Sequence, residues 1–255
     1  MLTRYERVLL PLGFGVFLLV AWHLAVAGTS TRVVPGPLQV ARGLGELADR
    51  GLLWSYTIDS LRRVGVGYLI ALVLGIPLGL WMGLSRPVFA AMNPLVQILR
   101  PISPIAWIPI AIVLWGIGDA APIFLITLAA FFPITASVAA GVRSVPPMYI
   151  AAGRNFGLGQ AAILRRILFP AVLPHVLVSL RIALGVSWIV VVAAEMIAVD
   201  SGLGYLIIDA RNAGKRYDLV VAGMVMVGAV GFTLDLVFRL LERLRSVRWG
   251  FRSTT

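Results

Sequence analysis

Apolar residues in this chain come in runs long enough to cross a bilayer, separated by short stretches where charge and proline collect. A membrane helix needs about 20 predominantly apolar residues. The runs at 8–27, 64–84, 88–116, 122–142, 171–199 and 219–238 meet that length and predict an all-α integral membrane protein of six transmembrane helices, a single transmembrane domain over 1–255. The first run has arginines before it and Ala25-Val26-Ala27 after it, the layout of a signal peptide, but it is long for that role and is read as a helix. In the second, Gly75, Gly79 and Gly83 recur every fourth residue, a small-residue face for close helix packing. The third carries Pro87, Pro94, Pro101, Pro104 and Pro109. Prolines leave carbonyls unbonded, and at membrane depth these need cover from protein or a water-filled cavity, which predicts a broken helix beside a path.

Between the first two runs, 28–59 turns polar around Leu38, Val40, Leu44, Leu47 and Leu52. It reads either as an amphipathic helix on the outer interface or as an ordinary external loop containing some helix.

Composition agrees with the pattern: 60% of residues are hydrophobic and 13% charged, with a mean hydropathy of +0.95. The net charge of +11 could serve nucleic acid, but its placement points to a membrane. With the amino terminus inside, the arginines of segments 1–7, 85–87, 143–170 and 239–252 fall on the inner side, opposed by Glu6 and Glu242, while charges on the outer side nearly balance. This positive-inside bias predicts cytoplasmic termini, a cytoplasmic loop at 143–170 and an inner-surface anchor at Arg239, Arg243, Arg245 and Arg248. Cysteine is absent, and His23 and His175 lack carboxylates at ligand spacing, so no metal site is expected.

The loop holds the most ordered polar sequence, Ala151 to Pro174. It predicts two short helices joined at Gly157-Leu158-Gly159, with Pro170 and Pro174 ending the pattern before the fifth span. The spacing Ala151-Ala152-Gly153, Gly157, Ile167, Phe169-Pro170 resembles the EAA loop of ABC importer permeases, E-A-A-x3-G-x9-I-x-L-P. Ala151 stands where that family usually has Glu, and Gly153 and Phe169 replace Ala and Leu. The stretches Arg100 to Gly118 and Leu173 to Ile207 are similar to the branch importing nitrate, sulfonates, taurine and bicarbonate.

The resemblance implies a type I importer permease (MetI-like) fold in a bacterial plasma (inner) membrane. It implies a second permease copy, two ABC ATPase subunits that use ATP and Mg, and an extracytoplasmic substrate-binding protein. Ala151, Ala152, Gly153, Arg154, Gly157, Leu158, Gly159, Gln160, Arg165 and Arg166 would couple to the ATPase. The chain itself has no G-x4-G-K-[ST] loop, its one lysine being Lys215, so it is expected to be neither the ATPase nor another enzyme, and to bind no cofactor.

Two groups are candidates for the translocation path. Arg100, Ser103 and Trp107 on the broken run offer charge, hydroxyl and indole N–H to an anion, or else cap the break and pack. Arg181, Trp188 and Glu195 recur every seven residues on one face of the fifth run, either lining the path or pinning neighbouring helices. A secondary carrier or channel is the alternative class, and an uncharged heterocycle the alternative cargo. An inverted repeat or a chain of membrane carboxylates would favour the carrier, and neither is visible.

Overall fold

In the computed structural model, which describes residues 6–27 and 34–242, every regular element among the described residues is helical. The order is α1 (Glu6–Ala27), α2 (Pro37–Asp49), α3 (Leu52–Leu84), α4 (Arg86–Leu99), a 3₁₀ turn (Pro104–Trp107), α5 (Ile108–Trp115), α6 (Ala120–Ser144), α7 (Pro147–Asn155), α8 (Gln160–Ile163), α9 (Phe169–Ala198), α10 (Leu203–Gly214) and α11 (Tyr217–Glu242). Among the described residues five helical runs are long and apolar enough to cross a membrane, and the bent pair α4–α5 makes a sixth if it counts as one span. Side chains such as Val73 and Val113 stay exposed on the outside of the bundle, as lipid contact allows. Segment 28–33 and the arginines at 4, 243, 245, 248 and 252 lie outside the described residues.

The core is the α3–α6–α9 layer. Gly67, Gly75, Gly79 and Gly83 of α3 face α6, where a Cβ on Gly79 would lie 2.7 Å from the Thr135 carbonyl oxygen and one on Gly83 2.5 Å from Val142 Cβ. The predicted glycine face is therefore the seam along which the two backbones touch. Val172 of α9 makes a similar approach to Gly141 of α6.

Three elements differ from the sequence expectation. First, α3 begins at Leu52 rather than 64, spanning 33 residues or about 50 Å. Gly51, at φ +70°, lets the chain reverse sharply after α2, so that Leu53, Thr57, Ser60 and Arg63 continue the buried face of Gly67. The amphipathic region is accordingly the separate helix α2, which buries Val40, Gly43 and Leu47, with Gly43 against the start of α11.

Second, the proline-rich run bends by 86° between Leu99 and Pro104. Its arms of 14 and 12 residues reach only about 21 and 18 Å, each short of the roughly 30 Å hydrocarbon layer.

Third, Pro170 and Pro174 do not end a helix: the chain is helical from Gln160 through Ala198. A π-helical turn at Leu164–Leu168 precedes Pro170 and widens the spiral where the ring would meet the preceding carbonyls, letting the proline be absorbed.

Candidate functional site

At the end of the bundle where α6 stops, α7 and α8 form a helical hairpin. Its turn is set by hydrogen bonding as well as by sequence. Leu158 N–H donates to the Gly153 carbonyl (3.0 Å) and Gly157 N–H to the Arg154 carbonyl (2.9 Å), the paired bonds that close a helix when the residue after its cap is left-handed. Gly157 supplies that conformation at φ +75°, and Gly159, in extended conformation, starts α8. Gly153 is buried, and a Cβ there would lie 2.6 Å from the Cδ1 end of Ile167, so this side chain closes over the glycine. Ile163, Leu168 and Val172 pack with Val142 into one cluster, fusing the hairpin to the end of α6 and the start of α9. A push on the hairpin therefore reaches two long helices through packed side chains.

Its outer face is mixed basic and apolar. Ala151, Ala152, Arg154, Gln160, Arg165 and Arg166 are exposed, together with Met148, Tyr149 and Phe156, the last at 86%. Leu158 turns inward to the cluster. The aromatic and methionine positions gave no periodic signal in the sequence, because they lie on a helix of nine residues and its turn.

The second region lies along the bent pair. A cavity of about 410 Å³ between α4, α6 and α9 is lined by Asn93, Gln97, Arg100, Ser137, Arg143 and His175 among others. A smaller one of about 140 Å³ holds Arg100, Trp107, Phe132, Pro133 and Val186. The structure thus brings Arg100 and Trp107 together, while Ser103 sits exposed in the turn between the arms.

Arg181, Trp188 and Glu195 do share a face of α9, and each is bonded inside the chain. Arg181 Nε donates to Asp235 Oδ1 of α11 (2.6 Å), and Trp188 Nε1–H donates to the Val227 carbonyl (3.1 Å), with Gly231 leaving room for the indole. Fully buried Glu195 accepts from Ser60 Oγ (2.8 Å), Arg63 Nη1 (2.8 Å) and Gly204 N–H (3.0 Å). These contacts hold α9 to α3, α10 and α11.

The network around Glu195 was not foreseen. Arg63 also donates to Asp119 Oδ1 (2.8 Å) and to the Ser201 carbonyl (2.8 Å) and hydroxyl (2.7 Å), and Arg62 pairs with Asp119. It ties α3, the α5–α6 turn, α9 and α10 together at the end opposite the hairpin. Extending the glycine face of α3 upstream by helical steps, through Val64 to Ser60, would have placed Arg63 beside it.

The family model described as "Binding-protein-dependent transport system inner membrane component" matches residues 75–247, more than half of the chain. The chain is 36% identical to the taurine transport system permease protein TauC of Escherichia coli, covering 93% of this chain and 89% of the relative. It is 37% identical to the bicarbonate transport system permease protein CmpB of Synechococcus elongatus, with 94% and 90% covered. Identity to the nitrate import permease protein NrtB of a Synechocystis species is 35%, with 93% and 89% covered. Among solved structures, an inward-facing form of the MetNI methionine ABC transporter superposes with a TM-score of 0.67 at 23% identity, over 80% of this chain and 99% of that one, which supports the shared fold. The chain belongs to the family of inner membrane components of binding-protein-dependent transport systems, and is a multi-pass membrane permease.

Proposed function

We propose that this permease forms the translocation path of an ATP-driven importer for a small oxyanion of the sulfonate, nitrate or bicarbonate type. One observation carries the reading: a hairpin at 147–168, closed by Gly157 and packed onto α6 and α9, exposes a basic and aromatic face in a chain that lacks a phosphate-cradling loop. Such a face suits an ATPase subunit supplied from elsewhere. Two ATPase subunits would bind and hydrolyse ATP with Mg, a second copy of this chain would complete the path, and an extracytoplasmic binding protein would deliver the cargo. The hairpin and both termini would be cytoplasmic, following the charge bias, with the Asp119 end outside. ATP-driven closure of the ATPases would move the hairpins as levers, the packed cluster carrying the motion into α6 and α9.

Arg100 and Trp107 at the bent pair are the residues proposed for the path, with Ser103 in the intervening turn. Arg181, Trp188 and Glu195 are proposed as the scaffold that holds the path's outer walls. The relatives' cargoes, taurine, bicarbonate and nitrate, support the oxyanion class. The test is coexpression with candidate ATPase and binding-protein subunits from the same genome, followed by reconstitution into vesicles. Stoichiometric copurification and uptake of nitrate, taurine or bicarbonate that requires ATP inside the ATPase compartment are expected. Uptake by this chain alone, driven by an ion gradient, would replace the proposal with a secondary carrier.

A further inference from the structure

We propose that the 410 Å³ cavity is an oxyanion transit site made entirely by one chain, with Arg100 and Arg143 as its two cationic ends; the proposal rests on the permease reading and assigns it an internal binding site. The volume falls in the range of about 300–1,000 Å³ usual for small-molecule sites.

The register of its walls gives the cavity its polarity. Phe89, Asn93, Gln97 and Arg100 fall at helical spacing on one face of α4, and Pro133, Ala136, Ala140 and Arg143 on one face of α6. The two faces run in opposite directions. The Arg143 guanidinium lies 4.0 Å from the centre of the Phe89 ring, whereas Arg100 shares the smaller cavity with Phe132 and Pro133. The two guanidinium-bearing residues are thus set apart by some ten residues of helix, about 15 Å. Asn93, Gln97 and Ser137 line the slot between them, and alanines at 136, 139 and 140 keep its α6 wall low.

The charge bookkeeping of the bundle singles these two arginines out. Arg63 and Arg181 within the spans are each paired with a carboxylate. Among the described residues neither Arg100 nor Arg143 has a carboxylate within ion-pair distance, and no Asp or Glu lines either cavity. Arg143 is held by the face of an aromatic ring, which fixes a cation without neutralising it. Unneutralised guanidiniums at the two ends of the slot, with carboxamide and hydroxyl donors between them, match a monovalent ion bearing several acceptor oxygens. They repel cations and offer little to an uncharged solute. Arg100 lines both the small cavity beside Trp107 and the large one, which sets it at the bend, with Arg143 at the hairpin end of the large cavity.

The test uses the purified permease–ATPase complex in nanodiscs, without binding protein, titrated calorimetrically with sodium nitrate, sodium methanesulfonate and sodium bicarbonate against sodium chloride. Saturable binding of at least one oxyanion at one site per permease chain is expected. Arg100→Ala and Arg143→Ala should each weaken it tenfold or more, with part recovered in Arg→Lys variants. Ala140→Phe, which removes no charge and fills the slot, should abolish binding. A complex that hydrolyses ATP yet binds none of the three anions, or binds them undiminished in these variants, would overturn the site and leave the importer reading standing. A chain that assembles with no ATPase would overturn the importer reading, and titration of the isolated chain would then decide the site.

Discussion

Arg63 of α3 and Glu195 of α9 meet as an ion pair, Nη1 to Oε1 2.8 Å, with the arginine 2% and the glutamate 0% exposed. Taking two charges out of water is costly, and such a pair persists only when its remaining donors and acceptors are also bonded. Here they are: the second carboxylate oxygen accepts from Ser60 and the Gly204 amide, and the other guanidinium nitrogens reach Asp119 and Ser201. Gly202 and Gly204 have no side chain because one would collide with the Glu195 carboxylate or the Val192 carbonyl.

Glu195→Ala should therefore destabilise the purified protein by about 3–5 kcal/mol, since Arg63 keeps its burial and loses a partner. Glu195→Gln, which retains an acceptor and the side chain's volume, should cost less. Thermal unfolding in detergent measures both, and equal stability of Glu195→Ala and wild type would remove the network from its structural role.

The α3–α6 seam makes a second prediction. Gly79→Ala should cost about 1–3 kcal/mol, because its Cβ would meet the Thr135 carbonyl and Val138 at 2.7 Å, and backbone cannot step aside cheaply. Gly65→Ala, on the same helix with open space beside it, should be neutral or stabilising by about 0.5–1 kcal/mol. Unfolding midpoints of the two variants should differ in that direction.

The seam was readable in advance because four-residue glycine spacing is a local pattern in one segment. So was the hairpin, whose turn glycine and flanking amphipathic pieces are close in sequence. The Arg63 network was not, since Ser60, Asp119, Glu195 and Ser201 come from four distant segments and each alone reads as a loop or span residue. The bend at Arg100 was legible as a break but not as an 86° turn, because prolines announce lost bonds and leave the direction to packing. The continuity across Pro170 was lost for the opposite reason: a π turn relieves the ring, and nothing in Leu164–Leu168 advertises it.

A pH dependence follows at the α2–α11 contact. Arg216 Nη2 donates to Glu46 Oε2 at 2.7 Å, and this hydrogen bond holds the Glu46 carboxyl below its ordinary value of 4.5. A carboxyl lowered by folding contributes stability that is present above its unfolded value and lost as pH falls through the folded one. The protection of α2 amides, exchange corrected for its intrinsic pH dependence, should thus be constant from pH 7 to about 5 and should fall below about 4.5. In Glu46→Gln the exchange should already be faster at pH 7 and should lack that acid step. An acid step that survives the substitution would assign it to another group.

The hairpin turn gives the last prediction, one that separates folding from coupling. A left-handed residue costs a side-chain-bearing amino acid about 1–2 kcal/mol. Gly157 has open space around its Cβ position, so the cost of Gly157→Ala or Gly157→Val is conformational and not steric. Because the turn lies at the tip of the hairpin, beyond the cluster of Val142, Ile163, Leu168 and Val172, the bundle should keep its unfolding midpoint within a few degrees. What changes is the angle at which α7 meets α8, and with it the placement of Phe156 and Arg154 on the exposed face. The complex should then hydrolyse ATP at a rate no longer matched by uptake, with Gly157→Val losing more of the coupling than Gly157→Asn, since asparagine tolerates the left-handed region better than a β-branched residue. Uptake and hydrolysis measured together in vesicles give the ratio directly, and a wild-type ratio in Gly157→Val would show that force does not pass through this turn.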